Sequence, residues 1–171
     1  DVLDLAAAPG GKTIYMEHHG ARVISNDVSI ARLRPLAGRN TRITVSDGRR
    51  PPFRRKFDVV LLDAPCSATG TLRKNPELKW RLREEELAQF AKLQRELLAS
   101  ALTLASKYVV YSTCSLEPEE NDEIVVAHED ITPFVPEGAK RWVDGGVLRL
   151  TPESGADGFT AFVLNAAAHA A

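Results

Sequence analysis

Short apolar runs alternate with helical stretches along most of the chain, and this alternation predicts an α/β fold with a mostly parallel sheet. Five strands are expected, over residues 1–5, 21–26, 42–46, 57–62 and 107–112. Several are apolar at nearly every position, as strands covered on both faces are. The clearest helix spans residues 83–106. There Leu87, Phe90, Leu93, Leu97, Ala101 and Leu104 recur at three- and four-residue steps, opposite Glu, Lys and Arg. Shorter helices are expected after Gly11, Ser29 and Pro118, the last with Glu119 and Glu120 suited to the positive end of a helix. Beyond Thr132 the pattern changes. Residues 147–151 and 159–165 read as two strands joined by a turn carrying Thr151, Pro152, Ser154 and Gly155, an antiparallel pair at the sheet edge. Residues 1–165 are expected to form one domain and residues 166–171 a frayed tail.

Composition changes this picture little: 171 residues suit one domain, and 44% apolar with 26% charged residues is ordinary for a soluble globular protein. No apolar run is long enough to span a membrane. No signal peptide is visible, and the opening on Asp1 directly into a strand suggests a piece of a longer polypeptide. Two cysteines are too few for a disulfide scaffold, so a reducing cytoplasmic setting is expected. The net charge of −1 does not by itself indicate nucleic-acid binding. Its distribution adds something: Arg49, Arg50, Arg54, Arg55 and Lys56 cluster in one stretch, and Arg73, Lys74, Lys79, Arg81 and Arg83 in another. Charge alone does not separate solvated loops from phosphate contacts there.

The first chemical motif follows the first strand. Val2-Leu3-Asp4-Leu5 leads into Ala6-Ala7-Ala8-Pro9-Gly10-Gly11-Lys12-Thr13. Small residues let backbone approach a ligand closely, and a helix starting near Lys12 offers unpaired N–H groups at the ligand-binding edge of such a sheet. A phosphate-cradling loop would need Gly-x-x-x-x-Gly-Lys-[Ser/Thr], and Ala6 occupies the first glycine position. The dinucleotide pattern Gly-x-Gly-x-x-Gly is absent. S-adenosylmethionine (SAM) needs the close approach without a phosphate to neutralise, and a purely structural glycine turn is the plainer alternative. Two acidic residues sharpen the SAM reading. Asp27, ending the second strand, is placed to accept from both ribose hydroxyls, and Asp47, ending the third, from the adenine amino group. Either one alone is as readily a turn residue.

Two cysteines follow the fourth and fifth strands. Asp63-Ala64-Pro65-Cys66-Ser67-Ala68-Thr69-Gly70-Thr71-Leu72-Arg73-Lys74-Asn75-Pro76 puts a carboxylate and a thiol after the fourth, with Arg73 and Lys74 available to phosphate. Trp80 downstream is expected in the core rather than stacked on a base. Tyr111-Ser112-Thr113-Cys114-Ser115-Leu116 ends the fifth strand. Strands four and five are neighbours in sheets of this class, so both thiols should project from one edge. A lone buried Cys is usually just a small apolar residue, but two at adjacent strand ends, one beside Asp63, are hard to explain as packing. No CxxC occurs and His18, His19, His128 and His169 are scattered, so no metal site is expected.

On these residues the chain resembles the Sun-type (RsmB-like) family of RNA 5-methylcytosine methyltransferases. The likeness runs from Val2 to about Glu123 and weakly again through Asp157-Gly158-Phe159. It rests on Ala7-Ala8-Pro9-Gly10-Gly11-Lys12-Thr13, on Asp63-Ala64-Pro65-Cys66-Ser67-Ala68-Thr69-Gly70-Thr71 and on Ser112-Thr113-Cys114-Ser115. Ala6 stands where many relatives carry a cysteine, and Ala68 where glycine is usual; neither position carries the chemistry. The resemblance implies an N-terminal extension, with part of the fold and an RNA-binding domain, outside these 171 residues.

The resemblance implies a Rossmann-like SAM-dependent methyltransferase core acting on RNA, with bacterial rRNA the expected substrate and a monomer the expected state. SAM would be held by Ala7, Ala8, Pro9, Gly10, Gly11, Lys12, Asp27, Asp47 and Asp63. The resemblance assigns Cys114 as the nucleophile that adds to cytosine C6 and Cys66 to product release. Asp63 would hold the base edge, and Lys12 would supply positive charge favouring the thiolate. The rival readings are an amine-directed SAM methyltransferase, a SAM- and RNA-binding ribosome-assembly factor without turnover and, most distantly, an ATPase.

Overall fold

The computed structural model describes residues 1–39 and 41–169. The strands are β1 (Val2–Asp4), β2 (Val23–Asp27), β3 (Arg42–Val45), β4 (Phe57–Asp63), β5 (Ala105–Thr113), β6 (Val143–Asp144), β7 (Val147–Leu150) and β8 (Phe159–Asn165). The helices are α1 (Gly11–His18), α2 (Leu78–Arg81) and α3 (Glu84–Leu104). Hydrogen bonding orders the strands β3-β2-β1-β4 in one part of the chain and β8-β7-β6 in another. The described residues form two compact units: residues 1–39, 41–63, 96–110 and 165–169, and residues 64–95 and 111–164.

In the first unit, β1 pairs in parallel with β2 and β4, and β2 with β3. Leu3, Val60 and Leu62 are fully buried, which is why these strands read as apolar runs. Asn26 ties three strand ends together: its Nδ2 donates to the carbonyls of Leu5 (3.0 Å) and Ser46 (3.2 Å), and its Oδ1 accepts from Ser46 Oγ (2.6 Å). The helix expected after Ser29 is reduced to turns and a 3-10 turn at Arg34–Leu36. Pro35 is the cause, since its ring removes an amide and displaces the preceding turn. Leu33 and Leu36 nonetheless bury against Ala7.

In the second unit, β6 and β7, and β7 and β8, pair antiparallel. β7 and β8 are the expected antiparallel pair, and the two-residue β6 pairs with the other side of β7. The helix expected at Pro118 stops after one 3-10 turn, Pro118–Glu120. Asn121 ends it by turning its side chain back onto the carbonyls of Ser115 (3.1 Å) and Glu117 (2.8 Å), the competition by which Asn disfavours helix interiors. Ala166–His169, part of the expected tail, forms a 3-10 turn with Ala166 buried, while Ala170 and Ala171 lie outside the described residues.

Candidate active site

The loop between β1 and α1 is shaped by two constraints. Gly10 sits at φ +107°, and a Cβ there would collide with the buried Leu36 side chain, so only glycine permits the turn into α1. Thr13, in the first turn of α1, donates to Asp4 Oδ2 (2.7 Å) and shares a 2.8 Å hydrogen bond with Ser25 Oγ, which locks the helix start onto the ends of β1 and β2. A cleft results, bounded by Ala6 to Pro9, Gly11, Lys12, Asp4 and Asp63. Small side chains floor it and carboxylates face it.

Each acidic position has a definite environment. Asp27 is 4% exposed; its Oδ2 accepts from Ala8 N (3.1 Å) and its Oδ1 from Ser29 N (2.9 Å), so it braces the loop. Asp63 accepts from Lys12 Nζ at 2.5 Å, joining the start of α1 to the end of β4. Asp47 lies outside this cleft, on a groove with Arg49, Arg50 and Glu96. The Arg49 guanidinium, hydrogen-bonded to it at 2.6 Å, holds its carboxyl below the usual carboxylate range.

Asp4, unremarked in the sequence, is the residue the structure adds. It is 1% exposed, its Oδ1 has no hydrogen-bond partner among the described residues, and it lines the cleft. Burial raises its pKa to about 6 against the lowering effect of the Thr13 hydrogen bond. A buried carboxylate with an unused oxygen, facing a cleft floored by small residues, suits a ligand that carries positive charge. SAM is such a ligand, and the residues fit it.

The second unit holds the thiols. Cys66 Sγ and Cys114 Sγ are 3.3 Å apart, both half-buried and unbridged. The hydrogen bond to Cys114 and burial push the Cys66 thiol well up. The segment carrying Cys66 is laid onto the Cys114 backbone: Ala64 N donates to Ser112 O (2.8 Å) and Gly70 N to Cys114 O (2.9 Å). A Cβ at Gly70 would stand 2.7 Å from Cys114 O and from Gly158 Cα, so the approach requires glycine. Gly158 N donates to Gly70 O (2.7 Å), which gives the isolated Asp157-Gly158-Phe159 likeness a physical reason. Ala68, in this same segment, holds φ +61°.

Trp80 corrects an expectation. It is 83% exposed on α2, with Lys79 Nζ 5.3 Å from its ring centroid, and not in the core. A four-residue helix has no inner face to bury it. Of the two basic clusters, Arg49 pairs with Asp47 and Glu96, Arg55 with Asp1, and Arg73 and Lys74 with Asp157. Among the described residues no group of three or more metal-ligating side chains occurs, and no helix is long and apolar enough to cross a membrane.

A mostly parallel sheet, a small-residue loop from β1 into α1 and carboxylates at the ends of β1, β2 and β4 define a Rossmann-like SAM-dependent methyltransferase fold. The chain belongs to the 16S rRNA methyltransferase RsmB/F family, which it matches over residues 1–159. It is 38% identical over 172 residues to ribosomal RNA small subunit methyltransferase B of Citrobacter koseri, covering 92% of this chain and 40% of that protein. It is 42% identical over 142 residues to the 28S rRNA (cytosine-C(5))-methyltransferase of Mus musculus, covering 72% and 18%. The chain thus spans well under half the length of these relatives. Among solved structures, NSun6 from Pyrococcus horikoshii with SFG superposes with a TM-score of 0.80 at 30% identity, covering 96% of this chain and 47% of that one. A methyltransferase homologue from the same organism gives 0.69 at 28%, covering 96% and 60%.

Proposed function

We propose that this chain is the catalytic core of an RNA (cytosine-5)-methyltransferase acting on ribosomal RNA through a covalent cysteine–cytosine adduct. The observation that carries the reading is the 3.3 Å approach of two unbridged thiols, each next to the end of a strand, in a chain of this family. Names of relatives that specify rRNA and cytosine C5 support the substrate.

SAM, when bound, supplies the methyl group. Asp4, Asp27 and Asp63, with the loop from Ala7 to Lys12, would hold it. The other steps belong to the protein and the base. Cytosine C5 is a weak nucleophile, and the Cys114 thiolate raises its reactivity by forming a bond to C6 that moves the ring π electrons onto C5. After C5 has gained the methyl group, a base removes the C5 proton, the C5–C6 double bond re-forms and the sulfur leaves as thiolate. Asp63 would hold the base edge, and Lys12 orients Asp63. The hydrogen bond to Cys114 and burial raise the Cys66 pKa, which suits Cys66 to stay protonated beside the sulfur assigned here as nucleophile. The target base must be unstacked to be reached, which suits a loop in folded RNA.

The test is to incubate wild type, Cys66→Ala and Cys114→Ala with SAM and ribosomal RNA and to look for RNA-shifted protein on a denaturing gel. Adduct accumulating only in Cys66→Ala supports both assignments. Turnover that survives Cys114→Ala and is lost in Cys66→Ala reverses them. Binding of RNA and SAM without adduct or turnover in any protein favours a non-catalytic binding role.

A further inference from the structure

The residues flanking each thiol are held by Glu120 and Asn121, two consecutive buried residues, with Gln94 beside Glu120. Glu120 is fully buried; its Oε1 accepts from Ser67 N (2.9 Å) and from Gln94 Nε2 (2.9 Å), and its Oε2 from Ser67 Oγ. Gln94 Nε2 donates also to Pro65 O (2.9 Å). Pro65 and Ser67 are the two neighbours of Cys66. Asn121, 1% exposed, accepts from Thr113 Oγ1 (2.8 Å) and donates to Ser115 O (3.1 Å). Thr113 and Ser115 are the two neighbours of Cys114. The halves meet where Ser67 Oγ and Ser115 Oγ are 3.1 Å apart. Tyr111, fully buried, donates its hydroxyl to Glu120 O (2.7 Å) and fixes the backbone from which both side chains project.

Resting on the methyl-transfer reading above, we infer that Glu120 and Asn121 are a paired positioning clamp for the reaction: Glu120 sets the Cys66 loop, Asn121 sets the Cys114 loop, and their adjacency fixes the separation of the two sulfurs. Two features point beyond fold maintenance. Gln94 places its amide NH₂ on two acceptors and leaves Oε1 buried with no hydrogen-bond partner among the described residues, an arrangement that costs stability. Its orientation serves Pro65 and Glu120. The segment after Pro118 likewise gives up helix so that the Asn121 amide can reach the Cys114 loop. Groups that touch no reacting atom yet hold those that do govern rate steeply, because a displacement of about 1 Å at a reacting centre costs on the order of 100-fold.

The test uses the full chain with two conservative variants. Glu120→Gln cannot accept from Ser67 Oγ and Gln94 Nε2 as well as from Ser67 N, so it loosens the Cys66 loop. Asn121→Asp keeps the acceptor for Thr113 and loses the donors to Ser115 and Glu117, so it loosens the Cys114 loop. One readout is independent of turnover: oxidation of the thiol pair by diamide, which takes one hydrogen from each thiol and is reduced to its hydrazine as the disulfide forms. This rate depends steeply on sulfur separation. Each variant is expected to lower the diamide rate and kcat by about 10-fold to 100-fold, with KM for SAM within about twofold of wild type. A folded variant with both kcat and diamide rate within about twofold of wild type overturns the clamp. Loss of folded protein in both variants also overturns it, because the network then serves stability alone. If wild type shows no methyl transfer while the diamide rates fall as expected, the geometric clamp stands and the methyl-transfer reading fails.

Discussion

Replacing Asp4 by asparagine should make the protein more stable at neutral pH while weakening its hold on a cationic cofactor. Asp4 is 1% exposed, and burial lifts its pKa from 3.8 to about 6. The folded state therefore binds this proton more tightly than the unfolded chain does. The resulting stabilisation is complete below pH 3.8 and is lost as pH rises through about 6. A difference of about two pKa units corresponds to about 3 kcal/mol. Asparagine keeps an oxygen for Thr13 Oγ1 to donate to and carries no titrating proton, so the variant escapes the loss. Urea denaturation at intervals from pH 4 to pH 8 reads the difference directly. Asp4→Asn minus wild type should shift by about 2.4 kcal/mol in favour of the variant between the ends of that range.

Cofactor affinity should move the other way. A cation beside Asp4 favours its ionised form, so binding below pH 6 must expel a proton, and the wild-type Kd for SAM should weaken by about tenfold per pH unit there. Asp4→Asn should bind more weakly at pH 7 and without that slope. Calorimetric titration at pH 5, 6 and 7 measures both. A stability difference between the two proteins that is flat across pH would refute the buried, high-pKa carboxylate. Parallel affinity profiles would refute its place in the cofactor site.

Two further outcomes follow from local geometry. Ala68 occupies the left-handed region, which costs a residue with a Cβ about 1–2 kcal/mol, partly offset by the entropy that glycine loses on folding. Ala68→Gly should raise stability by up to about 1 kcal/mol, checked by urea midpoint; an unchanged or lower midpoint contradicts the strain. Trp80 is exposed beside Lys79, and base stacking on an exposed aromatic is worth about 1–3 kcal/mol, so Trp80→Ala should weaken binding of single-stranded RNA about 5-fold to 150-fold. Fluorescence anisotropy with a labelled oligonucleotide checks this, and unchanged binding with unchanged salt dependence removes Trp80 from the RNA surface.

How much of this was legible in the chain depended on whether a residue's role was expressed in a local pattern. Strands such as β1 and β4 are apolar at most positions, and all five expected strands lie within two residues of where the pattern put them. The glycine loop and the two thiols sit at strand ends, where a motif and a strand boundary coincide. The failures arose where a single residue or a short element outweighed the pattern around it. A proline at position 35 and an asparagine at position 121 removed two expected helices, the second only because its amide is claimed by the Cys114 loop. Trp80 looked like core because aromatics usually are, but it falls on a helix one turn long.

The supports of the thiol pair divide in the same way. One signal was present and passed over. In α3 the positions 87, 90, 94, 97, 101 and 104 form a continuous three–four stripe, and its middle member is the fully buried Gln94. Leu93, read as part of the stripe, is only half-buried. A polar side chain in the centre of an apolar stripe needs buried partners, so its position in the chain is enough to mark a hydrogen-bonded site. Glu120 offered no such mark. Beside Glu119 in a surface-like run it looks like a solvated residue, since a carboxylate is almost never fully buried. What buries it is the backbone N–H of Ser67, fifty-three residues away, and that N–H needs an acceptor because the thiol loop is itself pressed into the second unit. The demand arises from a loop conformation set by Gly70 and its contact with Cys114 O, so no local reading of residues 118–121 could supply it.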